Sequence, residues 1–140
     1  MSDLDFVLER ISPWIDKYIA AGPHGLTRLE AAGVGVWMLE AEVNNGGFDQ
    51  YYFNSAGDMA VQTVEALEAI GAPNTASLLR AANEEFPGAM PPIDRSERQQ
   101  VLDGIREGVR FAALEAVFYR DEENLLARLA SYLRAHDVDG

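Results

Sequence analysis

The chain has 140 residues, 23 acids against 11 bases for a formal net charge of −12, 48% hydrophobic residues and no cysteine. That length suits one domain burying roughly 70% of the surface its unfolded form exposes, and the hydrophobic content excludes a disordered chain. The missing cysteine excludes disulfides, thiolate zinc sites and cysteine nucleophiles, while the acidity repels nucleic acid and anionic membrane and attracts basic partners.

The first residues, Met1-Ser2-Asp3-Leu4-Asp5, lack the basic-then-apolar order of a signal peptide. No stretch approaches 18 uninterrupted apolar residues, so no membrane span is expected and a cytoplasmic protein is the working reading. Leu4, Val7, Leu8, Ile11, Trp14, Ile15, Tyr18 and Ile19 recur at three and four, the stripe of a core-facing helix. Ser12-Pro13 inside it reads as an N-cap and first helical position, which predicts a kink or restart. Gly22-Pro23-His24-Gly25 then breaks the chain.

A second helix is expected over residues 26–44, where Gly33 and Gly35 admit a closely packed neighbour. A short helix over 48–54 follows, then one over 58–70 capped by Asp58, with Val61, Val64, Leu67 and Ile70 inward. Gly71-Ala72-Pro73-Asn74 separates this from a helix carrying Leu78, Leu79, Ala82 and Phe86. Residues 87–93 are too short and apolar to divide two domains, so they read as a packed connection. Asp94 and Glu97 then resemble a capping box before Val101, Leu102 and Ile105. Phe111, Leu114, Phe118 and Tyr119 anchor a further short helix, and Asp121 caps a last one bearing Leu125, Leu126, Leu129, Tyr132 and Leu133. The expectation is a single all-α domain, residues 1–140, a bundle of about six to eight helices.

The most specific string is Glu42-Val43-Asn44-Asn45-Gly46-Gly47-Phe48-Asp49-Gln50-Tyr51-Tyr52-Phe53-Asn54. Asn and Gly tolerate the left-handed backbone that closes a helix, so Asn44 to Gly47 read as a C-terminus. Glu42 sits against the unfavourable end of the helix dipole, and backbone N–H groups of the glycine turn would suit its carboxylate. Phe48, Tyr51, Tyr52 and Phe53 would lock the turn into the core, with Asn54 bonding the backbone of the next loop. The other reading has Asn45, Gln50 and Asn54 exposed and contacting a ligand.

This string, with Gly57-Asp58, Ala66-Leu67-Glu68-Ala69-Ile70-Gly71-Ala72 and Leu114-Glu115-Ala116-Val117-Phe118-Tyr119, resembles a bacterial all-helical domain of unknown function that includes the DNA-mimic proteins. The similarity spans residues 26–136, and the Asn-Asn-Gly-Gly-Phe signature carries most of it. The resemblance implies an acidic, partner-binding protein that occupies the DNA-binding face of a transcription regulator, with carboxylates in place of phosphates.

Such a face needs rows of acids without intervening bases. Candidate rows are Asp5, Glu9 and Asp16; Asp58, Glu65 and Glu68; and Glu84 and Glu85. Residues 94–140 carry seven arginines against ten acids, so the face is expected in the first two thirds of the chain. Asp121, Glu122 and Glu123 read instead as helix N-terminal charges.

His24 and His136 have no second ligand at helical spacing, and no phosphate loop, dinucleotide fingerprint or calcium-loop spacing is present. No metal, cofactor or catalytic residue is expected. The partner is a basic protein, with direct nucleic-acid and membrane binding disfavoured and a homodimer left open. An immunity- or adaptor-type protein neutralising a basic toxin or enzyme is the alternative. An outside reading is a hydrolase built on the Asn-Asn-Gly-Gly turn, using carboxylates such as Glu40, Glu42 or Asp58.

Overall fold

Periodic apolar stripes resolve into seven α-helices in a computed structural model that describes residues 1–136. They are α1 (Asp3–Ala21), α2 (Arg28–Phe53), α3 (Ala60–Ala69), α4 (Pro73–Asn83), α5 (Arg95–Ile105), α6 (Phe111–Phe118) and α7 (Leu125–Ala135). No strand occurs among the described residues, so the all-α expectation holds. The central α2 touches α1, α3, α5, α6 and α7, and α4 lies against α3 and α6. Both glycines of α2 act as expected. A Cβ on Gly33 would meet the Trp14 ring at 2.9 Å, and one on Gly35 would meet Thr63 Oγ1 at 2.6 Å.

As expected, the signature string closes one helical segment and opens the next, the two running on as α2 across non-helical Gly46 and Gly47. Residues 28–45 and 48–53 form two legs of α2, joined at Gly46 and Gly47. The left-handed residue is Gly47, with φ 75°, whereas Gly46 has φ −155°. A side chain on Gly47 would be strained by that φ and would overlap the Glu115 carboxylate. Glu115, reaching from α6, accepts the Phe48 N–H at 2.8 Å and so caps the second leg. The acceptor of backbone N–H is therefore Glu115, not Glu42. Phe48, Tyr51 and Tyr52 are fully buried as expected, but Phe53 is 44% exposed. Phe48 and Tyr52 both pack on Phe111, with centroids 5.8 and 5.6 Å away.

At the end of α2, beyond the kink, lies a buried cation. Arg98 of α5 is 0% exposed. Its guanidinium donates to the carbonyls of Tyr52 (2.6 Å), Asn54 (2.8 Å), Pro92 (2.9 Å) and Ile93 (3.0 Å). It also pairs with Asp58 at 2.9 Å, whose side chain is 19% exposed. Tyr18 of α1 donates its hydroxyl to the Ser55 carbonyl (2.6 Å) and to Asp58 (3.1 Å). Burial, and then the adjacent Asp58 charge, push the Tyr18 phenol above its ordinary range and keep it a donor. One guanidinium thus ties the end of α2, the Ser55–Met59 turn, the 92–93 connection and α5 together. Gly57 makes room for it, because a Cβ there would lie 2.7 Å from Arg98 Nε.

Several local expectations are corrected. Asp58 does not cap α3; it sits in the preceding turn and faces Arg98. α1 runs unbroken through Pro13, and the Ser12 hydroxyl bonds back to the Leu8 carbonyl instead of capping a new start. α2 begins two residues later than expected, at a capping box formed by Thr27 and Glu30. Asn124 is the N-cap of α7, and Asp121 takes the Leu125 N–H at 3.0 Å. Leu4, Leu8, Ile19, Val61 and Tyr119 are exposed, not in the core.

Replacing Arg98 by Ala leaves Asp58 and four carbonyls without their donor. Removing one partner of a buried ion pair costs about 3–5 kcal/mol, a large part of the roughly 5–15 kcal/mol holding a domain together. Arg98→Ala should therefore lower the urea midpoint steeply, and a loss under about 1 kcal/mol would mean that the clamp is dispensable.

Candidate partner-binding surface

The acidic residues divide into carboxylates that the fold uses and carboxylates that it leaves facing solvent. Glu123 belongs to the first group. It accepts the Asn74 N–H (3.0 Å), the Thr75 N–H (2.7 Å) and the Thr75 hydroxyl (2.7 Å), capping α4 from the loop before α7. Burial alone would raise its carboxyl, but these donors outweigh burial and hold it below its ordinary value. The reading of Asp121 and Glu123 as helix N-terminal charges is correct, although Glu123 serves a helix distant in sequence.

The two expected rows, Asp58, Glu65 and Glu68 and then Glu84 and Glu85, are mostly neutralised. Asp58 is held in the Arg98 clamp. Glu68 pairs with Arg80 at 2.6 Å, Glu85 with Arg110 at 2.9 Å and Glu65 loosely with Arg28 at 3.9 Å. Glu65, Glu68 and Glu84 do come together around a concavity of about 370 Å³ between α3 and α4, but Arg80 shares that site.

The row on α1 differs. Asp5, Glu9 and Asp16 are all exposed, and none forms an ion pair among the described residues. At about 100° per residue the three fall within about 40° of one another around the axis, spread over about 16 Å. The bases of α1 lie elsewhere: Lys17 pairs with Glu30 at 2.8 Å, and Arg10 stands over the Phe6 ring. This is the barest run of negative charge among the candidate rows.

The signature residues turn inward on one another. Gln50 Nε2 and Asn54 Nδ2 both donate to Glu42 Oε2, at 2.7 and 3.1 Å, and Asn45 Nδ2 donates to Gln50 Oε1 at 3.3 Å. Asn54 Oδ1 accepts from Arg95 at 3.2 Å. The Asn54 side chain thus bonds other side chains, while its carbonyl accepts the Gly57 N–H of the following loop at 3.1 Å, the expected backbone link. Asn44 is exposed, and Gly46 and Gly47 form the bend.

The catalytic candidates do not converge. Glu40 is half-buried, and burial first and then the Asp121 charge raise its carboxyl above the ordinary value. Glu42 is occupied by amides and Asp58 by Arg98. A second concavity, about 440 Å³ between α2 and α3, is lined by Arg28, Ala31, Glu65, Ala66 and Tyr132 and by none of these three carboxylates. Among the described residues no group of three or more His, Cys, Asp or Glu is placed to hold a metal.

A sequence model for DMP19-like proteins matches residues 24–136. The chain belongs to the DMP19-like protein family. No curated protein and no solved structure matches it. The DMP19-like segment contains the bend, the Arg98 clamp and the in-trans caps, whereas α1, with its unpaired acids, precedes it.

The capping role of Glu115 and the buried Arg98 were hidden from local reading, but Arg98 left a trace. It stands three and four residues before Val101 and Leu102, on the inward face of its helix.

Glu40 sets a pH dependence of known sign. Its folded-state carboxyl binds a proton more readily than the unfolded one, so its contribution to stability falls as pH rises through the window above the ordinary carboxylate value. Glu40→Gln should raise the melting temperature at neutral pH, with the gain shrinking as pH drops into the carboxylate range. A variant less stable than the parent at pH 7 would contradict this.

Proposed function

We propose that this DMP19-like protein works by binding, not catalysis, as an acidic regulator that docks on the basic face of a protein partner. The observation that carries the reading is the unpaired row Asp5, Glu9 and Asp16 on an exposed helix face of a chain with net charge −12. The compensated acids around α3 and α4 add a weaker field on the same chain. Such a field steers basic partners and repels DNA itself.

A transcription regulator's DNA-binding face is the leading target, in keeping with the DNA-mimic character implied by the family resemblance. Charge density bounds the extent of mimicry. Duplex DNA presents one charge per about 1.7 Å, so about ten phosphates over the length where α1 presents three carboxylates. The row therefore substitutes for a few phosphates of one strand, not for a full duplex. The same sparseness favours, as second reading, an adaptor or immunity-type protein that neutralises a basic toxin or enzyme. No helix among the described residues is long and apolar enough to cross a membrane, which is in keeping with a cytoplasmic site of action.

The test is affinity capture from the native cytosol with the parent chain and with an Asp5→Asn, Glu9→Gln, Asp16→Asn variant as baits. Exposed charge pairs contribute about 0.2–1 kcal/mol each, so three should change affinity by about threefold to a hundredfold. A discrete basic protein held by the parent at low salt, displaced by duplex DNA and weakened on the variant is expected. Equal capture by both baits, indifferent to salt, would remove the row from the function.

A further inference from the structure

The acidic row of α1 borders an exposed apolar one. Leu4 is 44% exposed, Leu8 37% and Ile19 76%, and Ile15 beside them is half-buried. With about 100° per residue these four fall within about 60° of arc and run for about 22 Å along the helix. The sector of Asp5, Glu9 and Asp16 lies directly beside it, its centre about 90° around the axis. Val7, Ile11, Trp14 and Tyr18 occupy the face turned to the core and Ile15 packs partly against it, which leaves Leu4, Leu8 and Ile19 facing solvent.

Two adjoining strips on one helix, one apolar and one anionic, specify a partner of complementary order. The spacing of Leu4 with Leu8 and of Ile15 with Ile19 forms an i, i+4 ridge of the kind that packs against another helix. We infer that α1 is a docking helix for a cationic amphipathic helix of the partner, which seats its apolar stripe on Leu4, Leu8 and Ile19 and turns its flanking Arg or Lys side chains to Asp5, Glu9 and Asp16. The inference rests on the binding role proposed above and deepens it by naming the face and the form of the ligand. A second copy of this chain suits the face less well, since it would bring another net −12 to the contact.

The position of α1 relative to the family match adds a consequence. Residues 24–136 are what the DMP19-like model matches, and α1 lies before them. Partner choice is then written on the helix outside that segment. The matched body holds α1 by Trp14 on Gly33, by Tyr18 on Asp58 and by Asp3 on Arg134 at 2.8 Å.

The experiment uses the full chain and two synthetic probes. One is an amphipathic helix of about 18 residues with a leucine stripe flanked by arginine, long enough to span α1. The other is an oligo-arginine peptide of equal charge. The parent should bind the amphipathic probe at least about tenfold more tightly than oligo-arginine, the margin expected when exposed leucine-sized side chains become buried. Leu4→Ser with Ile19→Ser should abolish that margin while leaving circular dichroism and oligo-arginine binding unchanged. A margin that is absent, or that survives the double variant, overturns the inference. The basic-partner reading then still stands if oligo-arginine binding falls when Asp5, Glu9 and Asp16 are neutralised. Failure of the parent to bind either probe defeats both. A concentration-dependent dimer abolished by Ile19→Ser would also overturn the inference, by assigning the apolar row to a second copy.

Discussion

A fully buried guanidinium organises this fold. Arg98 serves four carbonyls and one carboxylate drawn from three separate stretches of chain. Two of those carbonyls, at Tyr52 and Asn54, lie at the end of α2, where helix termination leaves acceptors without intrahelical donors. A charged donor with a planar fork can answer several at once, which no lysine could do. Gly57 supplies the space, Asp58 the counter-charge and Tyr18 the second ligand of that carboxylate. The bend at Gly46 and Gly47 feeds α2 into this arrangement, and Glu115 secures it from the other side.

The same logic distributes charge over the molecule. In the DMP19-like segment acids are put to work: Glu123 caps α4, Glu115 caps the second leg of α2, Asp58 balances Arg98, and Glu68 and Glu85 face arginines. Each such carboxylate is less available to an outside cation. Glu84 and Glu107 also stay exposed without an ion pair among the described residues, but Asp5, Glu9 and Asp16 share one face of a single helix. Their neighbourhood with Leu4, Leu8 and Ile19 gives a surface that is both apolar and anionic, a combination that simple solubility does not require.

Much of the fold was legible because period and punctuation are local signals. Stripes such as Leu125, Leu129 and Leu133 in α7, and the Gly71-Ala72-Pro73 break, appear where the sequence implies them. The close approaches at Gly33 and Gly35 were readable for the same reason. What failed was non-local. Asp58 looks like a cap to its own neighbours, but Arg98, 40 residues on, competes for it and wins with a buried ion pair. Glu42 looks like the acceptor for the glycine turn, but Glu115 reaches it first and leaves Glu42 to Gln50 and Asn54. The candidate face was half legible. Acid spacing identifies Asp5, Glu9 and Asp16, but only packing reveals that the acids of α3 and α4 are paired and that the apolar row beside α1 is exposed.

The central claim, that recognition is carried by α1 and not by the neutralised acids of the family segment, is open to direct mapping. Amide hydrogen exchange of the full chain, free and with a captured basic partner, reads each helix separately. The account predicts slowed exchange across residues 3–21 on binding, with residues 60–84 little changed. Protection confined to residues 60–84, with α1 exchanging as in the free protein, would contradict it.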